Sequence, residues 1–549
     1  MDGERPLLIR EGTVFTARPR DPWTDALVIQ GSRIVGVGAA GELATRFPAA
    51  VTLDVEGRTV LPGFIDAHNH FLATGESLGS VDLRYPGASS LPSVIAAIAM
   101  SALETPPGGW ITGFGFDDAK YDGALAREDL DRAGAGHPVR IHHVSGHHVF
   151  VNSMAFELRG VTDNTPDPPG GRLVRDAEGH LTGACLDAAM NLILPVAVDI
   201  GHHGPNFHTV ASLGESVNAI DRAGRAFLAA GLTTVCDAQV TSRELLAYRE
   251  AQRQGRLPVR TVCMPLSHQL KEYAAIGLAG PFGDEHLSVG AMKFYADGSL
   301  IGGTASFTEP YGEHGEFEGS MYWSAEELEG MIVAAHAAGW QVGVHVQGDR
   351  AMSAVLDAIE AAVEGSPRID HRHRLEHAGF PTPVLIERIA RLGVITVNQP
   401  NYLRDSGDEF LSRLGERAHR LQPLRDELDA GITVVLSSDS DVTSYRPLDT
   451  IRAAMARRTL SGTPIGADQA LSLEEALSAH TIAAAFALRM EDRIRSLETG
   501  NSRTSSWWTV TSRAALDEMA SFDSWLTLLG ERVGHAKDQL RIHYLVDVP

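Results

Sequence analysis

From about residue 231 onward, the sequence alternates short apolar runs with helical stretches. The runs have the length and composition of strands buried on both faces, and their alternation with helices is typical of a parallel sheet. With one earlier run they number eight, which is the strand count of a (β/α)8 TIM barrel. The eight runs are TVLPGFID (59–66), TTVCDA (233–238), VRTVCMP (259–265), VGAMKFYAD (289–297), WQVGVHV (340–346), HRLEHA (373–378), GVITVNQ (393–399) and TVVLSSD (433–439).

Two regions outside this pattern predict further parts of an α/β fold. Residues 1–58 alternate short Val- and Ile-rich runs with turns, as antiparallel strands do, and we expect them to form a small β unit. More than 150 residues, about 72–228, separate the first and second barrel strands, which is too long for a loop. We therefore expect an inserted subdomain that covers the barrel mouth as a lid, so that 59–480 is a barrel with a large insertion.

The composition excludes several classes of protein. A net charge of −23 makes the chain a poor candidate for binding nucleic acid or an anionic membrane, and 44% hydrophobic residues exclude a disordered chain. The sequence shows no signal peptide and no apolar run long enough to span a bilayer. Cys185, Cys236 and Cys263 have no metal-site spacing, so we expect buried thiols in a reducing cytoplasm. A small molecule is the expected partner, and a homo-oligomer is left open.

Side chains that bind divalent metals recur at the ends of the predicted strands. His68 and His70 follow the first strand, and their i, i+2 spacing presents both imidazoles to one side. Active sites of such barrels lie at the carboxyl ends of the strands, and histidine and carboxylate suit Zn²⁺ and related ions. The sequence therefore predicts a metal site there. Its further members are Lys293 in the fourth strand, His345 in the fifth, His377 in the sixth and Asp439 in the eighth.

Lys293 requires a separate explanation, because a buried ammonium is costly and repels metal ions. It could pair with Asp297 or Asp439. Alternatively, its amine could react with CO₂ to give a carbamate, an anion able to bridge two ions. Only four of the 47 basic residues are lysine, the other 43 being arginine, which cannot form a carbamate. We therefore favour the carbamate.

Several segments, in this order, resemble the amidohydrolase superfamily, and more narrowly its branch of N-substituted formamide deformylase-like proteins. The resemblance implies a (β/α)8 barrel and a small β-sandwich built from both chain ends, 1–58 and 481–549. The segments are FIDAHNH, GHHVFVNSMAFELRGVT, NTPDPPGGRLVRDAEGHLTG, VGAMKFYADGS, VGVHVQGDRA, HRLEHA and LSSDSD.

The resemblance also implies a site with two divalent ions, for which zinc is expected. His68 and His70 would bind one ion, His345 and His377 the other, and carbamylated Lys293 would bridge them. Asp439 would bind the first ion and act as the catalytic base.

The implied reaction is hydrolysis of a C–N bond of an amide or N-substituted formamide by metal-bound hydroxide. Deamination, ester cleavage and decarboxylation use similar sites and stay open, as does an inactive product of a damaged gene. His147, Asp297 and Arg350 are candidates for substrate contact. Each has a structural alternative, namely a loop cap, a turn and an ion pair.

The resemblance stops after Gly500, where the chain reads NSRTSSWWTVT (501–511). The excess of arginine over lysine indicates a G/C-rich gene. Back-translated with G/C-rich codons and shifted by one base, the segment reads ELADLVVVDRD, which restores the expected strand. We therefore predict that residues 501–549 are a frameshifted tail, that the sandwich lacks its last strands, and that edges of the N-terminal β unit are unpaired. The alternative is a divergent tail with a helix over AALDEMASFDSWLTLL.

Overall fold

The chain divides into two units. The first comprises Met1–Phe71, Gly224–Val240 and Ala251–Pro549, and the second comprises Leu72–Ala223 and Thr241–Glu250. The computed structural model describes residues 5–18, 20–31, 33–85, 87–144, 146, 148–168, 171–187, 189–194, 197–208, 210–312, 314–494, 496–497, 507–511, 526–529 and 532–536.

The N-terminal residues form two sets of short strands. β5-β4-β1-β6 is one sheet, while β7, β2 and β3 belong to another. The predicted antiparallel pairing is confirmed for β1–β4, β4–β5 and β2–β3. It is wrong for β1–β6 and β2–β7, which are parallel because each partner reaches the sheet after intervening elements rather than a tight turn. The elements are β1 Leu7–Arg10, β2 Thr13–Phe15, β3 Trp23–Thr24, β4 Ala26–Gln30, β5 Arg33–Gly38, α1 Ala40–Arg46, β6 Val51–Asp54, β7 Thr59–Pro62, β8 Phe64–Asn69 and α2 Phe71–Ser77.

The second unit contains a sheet of its own, in the order β13-β14-β12-β11-β10-β9. β9, β10 and β11 are parallel, and helices α3 and α4 lie between them along the chain. β13 and β14 form an antiparallel hairpin. The elements are β9 Val81–Asp82, α3 Leu91–Glu104, β10 Ile111–Phe116, a 3-10 helix Asp118–Lys120, α4 Arg127–Gly134, β11 Val139–His143, β12 His148–Val151, α5 Ser153–Arg159, β13 Gly171–Arg175, β14 Leu181–Asp187, α6 Met190–Ile193 and α7 Leu213–Ala229.

All eight predicted barrel runs contain a strand, and the strands form two parallel arrays. One sheet has the order β17-β18-β16-β15-β8, in which only β17 is antiparallel, and the other has the order β19-β20-β21-β22-β23. Helices follow most strands, so the fold is α/β. The elements are β15 Leu232–Val240, α8 Ser242–Arg253, β16 Arg260–Pro265, a 3-10 helix Ser267–Gln269, α9 Leu270–Ala275, β17 Phe282–Gly283, β18 Leu287–Val289, β19 Met292–Tyr295, α10 Ala325–Ala337, β20 Val342–Val346, α11 Asp349–Gly365, β21 Arg374–His377, α12 Pro383–Leu392, β22 Ile395–Asn398, α13 Asn401–Asp405, α14 Gly407–Leu414, a 3-10 helix Gly415–Arg420, α15 Leu424–Asp429, β23 Val434–Leu436, α16 Pro447–Ala456, a 3-10 helix Ala467–Gln469, α17 Leu473–Ala479 and α18 Ile482–Ala487.

The tail corrects one expectation. Its strands are β24 Trp507–Thr511, β25 Leu526–Leu529 and β26 Arg532–Ala536, in a sheet of order β26-β25-β24-β7-β2-β3. β24 runs antiparallel to β7, with Val510 opposite Val60. The prediction that 501–511 forms no strand and leaves this edge unpaired is therefore wrong, because aromatic and β-branched residues pair readily with a free edge. The alternative of a helix is wrong over Leu526–Leu529.

Two predictions about residue environment can be compared with the structure. Cys185, Cys236 and Cys263 are buried thiols, as predicted. In the described part of the chain, no helix has both the length and the apolar character that crossing a bilayer would need.

Candidate metal centre

His68, His70 and Asp439 lie together where β8 and β23 end. His68 is in β8, and His70 is the first residue beyond it. Asp439 lies three residues past β23 rather than at its end, with a φ of +54°. The Asp439 backbone N–H donates to the carbonyl of His68 over 2.9 Å, which fixes the loop against the first strand. Such left-handed backbone at a non-glycine residue is common at functional sites.

The side chains of these three residues converge on one oxygen. Oδ1 of Asp439 lies 3.3 Å from Nε2 of His68 and 3.1 Å from Nε2 of His70. His68 Nε2 and Asp439 Oδ1 are buried and have no hydrogen-bond partner in the structure. Buried polar atoms of this kind are rare in proteins unless an ion or water binds them. This donor set therefore fits a divalent cation.

The charges of the group also suit a cation. Burial opposes ionisation of Asp439, but the contacts with His68 and His70 hold its pKa well below the usual range. The carboxylate is thus charged at neutral pH, and it can act as a ligand or accept a proton.

Glu376 orients His68, and the sequence analysis did not identify it. Its Oε2 lies 2.6 Å from Nδ1 of His68, so the Nδ1–H donates to the carboxylate and Nε2 is left able to bind a metal ion. Arg374 contacts both oxygens of Glu376 at 2.7 and 2.9 Å, and the whole chain of contacts is buried. Burial opposes ionisation of Glu376, but Arg374 and His68 hold its pKa well below the usual range. The i, i+2 spacing of Arg374 and Glu376 in a buried strand was the available signal.

His345 and His377 lie beside this group. Their ring centroids are 4.4 Å apart, and the His377 ring is 4.8 Å from that of His68. Nδ1 of His377 lies 2.8 Å from Oε1 of Gln399, an amide oxygen that can accept its N–H and leave Nε2 available. Burial lowers the pKa of His377 to about 3, so its imidazole is neutral and able to bind a metal. The structure brings all four predicted histidines together.

Lys293 is completely buried in β19, and its Nζ has no hydrogen-bond partner in the structure. The Nζ lies 4.8 Å from the ring centroid of Tyr295. Burial lowers the pKa of Lys293 to about 8, so a substantial fraction of the amine is neutral near that pH. Neither the ion pair with Asp297 nor that with Asp439 is among the observed salt bridges of the described residues.

Tyr402 is a second residue of this group that is not predictable from the sequence. Its hydroxyl donates to Oδ2 of Asp439, and its ring stacks on that of His377 with centroids 6.1 Å apart. Tyr402 lies in α13, directly after β22, and nothing in its local sequence distinguishes it from a core tyrosine.

The three candidates for substrate contact have different surroundings. Asp297 is buried and accepts backbone N–H bonds from Ser306, Gln347 and Gly348 at 2.9–3.0 Å, so it holds two loops in place. Burial raises its pKa to about 7. Arg350 is exposed in the first turn of α11. His147 lies outside the described residues. Substrate contact by any of them stays a prediction.

Comparisons with known proteins agree with this geometry. Residues 51–502 match the amidohydrolase family. Over 509 residues the chain is 31% identical to N-substituted formamide deformylase of Arthrobacter pascens, covering 90% of this chain and 92% of that protein. It is 30% identical over 515 residues to protein LONG AFTER FAR-RED 3 of Arabidopsis thaliana, covering 90% and 85%. The crystal structure of an uncharacterized metal-dependent hydrolase from Pyrococcus furiosus has a TM-score of 0.72 at 25% identity, covering 93% and 100%. The chain therefore belongs to the amidohydrolase family and is a hydrolase that acts on carbon–nitrogen bonds.

Proposed function

We propose that the protein hydrolyses the C–N bond of an N-substituted formamide or a related small amide at a centre of two divalent ions, with zinc as the expected metal. The observation that carries this proposal is the buried group of His68, His70 and Asp439, in which Nε2 of His68 and Oδ1 of Asp439 have no hydrogen-bond partner. The similarity to a formamide deformylase supports the substrate class.

His68, His70 and Asp439 would hold the first ion, and His345 and His377 the second. The ions, when bound, supply hydroxide at neutral pH and polarise the substrate carbonyl. Asp439 would accept the proton. Its carboxylate is held in position by contacts of Oδ1 with His68 and His70 and by the hydroxyl of Tyr402, which donates to Oδ2. Glu376 keeps His68 in the tautomer that leaves Nε2 free.

Lys293 would be carbamylated and bridge the two ions. Carbamate formation requires a neutral amine, and burial provides one by lowering the pKa of Lys293 to about 8. The bond forms between Nζ and the carbon of CO₂, and one proton is released. The resulting anion would also remove the cost of an unpaired ammonium in the core.

The two parallel sheets are two halves of one (β/α)8 barrel. Two contacts support closure: a parallel bridge joins Leu266, after β16, to Lys293 in β19, and the Asp439 N–H bonds to His68 between β23 and β8. The small sheets of both chain ends form the β-sandwich, whose shared core includes Ile9, Val60 and Leu497.

Residues 501–549 are the product of a one-base shift in the gene. The end of the family match at residue 502 supports this proposal, since the shift is placed directly after Gly500. Pairing of β24 with β7 does not oppose it, because strand pairing uses backbone groups that every reading frame supplies. Sequencing the gene region is the test, and codons incompatible with ELADLVVVDRD would contradict the shift.

A substrate panel tests the activity. The zinc-loaded protein is incubated with N-substituted formamides, N-acyl amines, cyclic amides and esters, and product amine and formate are quantified. We expect amine and formate in equal amounts from the formamides, and both at least about a hundredfold more slowly with Asp439→Asn. If esters or other amides are turned over and no formamide is, the proposed substrate class is contradicted.

A further inference from the structure

The second unit brings two carboxylates and an imidazole together at one edge of its sheet. Asp117 and Asp118 directly follow β10, and His143 is the last residue of β11. Because β10 and β11 are parallel neighbours, their carboxyl ends lie at the same edge. None of these residues belongs to the metal centre described above.

A local irregularity lets consecutive aspartates reach the same histidine. The pairing of β10 with β11 shifts in register between Phe114 and Phe116, where Gly115 takes a φ of +82°. The shift places Phe116 opposite His143 in the sheet. Asp117 and Asp118, which follow Phe116, therefore lie next to His143. A side chain at Gly115 would also meet Arg84, since an added Cβ would lie 2.2 Å from its Cγ.

The distances from His143 to the two aspartates are close to those between the ligands of a metal site. Nε2 of His143 lies 3.2 Å from Oδ1 of Asp118 and 3.7 Å from Oδ1 of Asp117. Tetrahedral ligands at bond lengths of about 2.0–2.1 Å are about 3.3–3.4 Å apart. The corresponding distances at the first metal centre, from Asp439 to the two histidines, are 3.3 and 3.1 Å. The two groups thus have similar ligand spacing.

The charge of this group is more favourable for binding a cation than the charge of a simple ion pair. Two carboxylates share one imidazole, so a negative charge remains even when His143 is protonated. By contrast, the exposed pair of His180 and Asp163, 3.0 Å apart in the same unit, has one charge of each sign.

The group is buried at His143 and exposed to solvent at Asp118. The His143 side chain is 7% exposed, that of Asp117 18% and that of Asp118 55%, so an ion could enter past Asp118. The ring of His148, at the start of β12, lies 4.9 Å from that of His143 and places a second imidazole beside the group.

We propose that Asp117, Asp118 and His143 bind a divalent transition-metal ion, with Zn²⁺ as the test ion, which ties the ends of β10 and β11 together. One imidazole and two carboxylates are a suitable ligand set for this class of ion.

Metal counting tests the proposal. The full chain and the double variant Asp117→Asn/Asp118→Asn are dialysed against buffered free Zn²⁺, and bound zinc is measured by mass spectrometry. We expect one ion fewer per chain in the double variant. His180→Ala, which removes an imidazole from an ordinary ion pair, should bind as many ions as the wild type. Equal zinc content in the wild type and the double variant would overturn the proposal.

A milder variant covers the case in which the double variant does not fold. Asp118→Asn changes a half-exposed side chain, so it should fold like the wild type. We expect it to need at least tenfold more free Zn²⁺ to bind the last ion. An unchanged zinc-binding curve would overturn the proposal. The first metal centre is intact in every variant, so differences in zinc report on this group alone.

Discussion

The metal centre and the sheet that joins β7 to β24 are held together by different groups. At the centre, side-chain contacts dominate: Nε2 of His68 lies 3.3 Å from Oδ1 of Asp439, and buried Glu376 orients His68. In the sheet, β24 is attached to β7 through a ladder of backbone bonds. Replacing one side chain at the centre should therefore change chemistry, whereas replacing the whole of β24 should change stability and leave the chemistry intact.

Loss of the base should have the largest effect on turnover. Asp439→Asn keeps the size of the side chain but removes its charge, and we expect turnover to fall by about 10²–10⁴-fold, the usual contribution of a general base. Circular dichroism should show an unchanged fold. The control Asp357→Asn changes an exposed aspartate and should retain activity. An active Asp439→Asn protein would refute the role of this residue.

Lys293→Ala should lower both the metal content and turnover, because no carbamate can form. Short carboxylic acids such as acetate or propionate should partly restore both by occupying the space of the lost side chain. Lys271→Ala, at an exposed lysine of α9, is the matched control. Full metal content in Lys293→Ala without added acid would show that the lysine bridges nothing.

Glu376→Gln tests whether the contact with His68 matters for metal binding. Loss of such a contact weakens metal affinity by about 10–100-fold, and we expect this range in a zinc-competition assay. Glu427→Gln is the control, because Glu427 is equally buried but bonds to Thr396 and Asn398. If both variants bind zinc equally well, the orientation of His68 by Glu376 is unimportant.

A change in the tail should have the smallest effect, and only on stability. Replacing 501–511 by ELADLVVVDRD should raise the free energy of unfolding by roughly 1 kcal/mol, the span of strand propensities. Turnover per bound ion should not change. A variant with the original eleven residues in scrambled order serves as the control. If the replacement is no more stable than the wild type in denaturant titration, the frameshift loses its structural support.

How far these two regions can be predicted from the sequence depends on whether side chains or backbone groups hold them together. The clustering of the four histidines and Asp439 was predictable, because few residue types suit a metal ion and parallel strands place their ends together. Metal binding by these residues and by Lys293 stays a prediction. Glu376 and Tyr402 could not be predicted, since each acts on a residue of another strand and that contact exists only in the fold. The eight strands were predictable from buried runs.

The tail was mispredicted for a physical reason. The family-like strand was absent from 501–511, so no partner was expected for β7. Pairing, however, requires only backbone groups and residues that tolerate extended structure, and Trp508, Thr509 and Val510 meet that requirement. The sequence pattern therefore predicted the eight buried strands, but not the strands at the end of the chain.

Metal dependence of turnover is the most direct test of the account. Amine release from an N-substituted formamide is measured on the purified protein, after chelation, and after stepwise addition of Zn²⁺. We predict that chelation abolishes turnover and that activity returns in proportion to the ions bound by the wild type. In Asp439→Asn, at most about 1% of the wild-type activity should return. Full turnover by the metal-free protein would contradict the account.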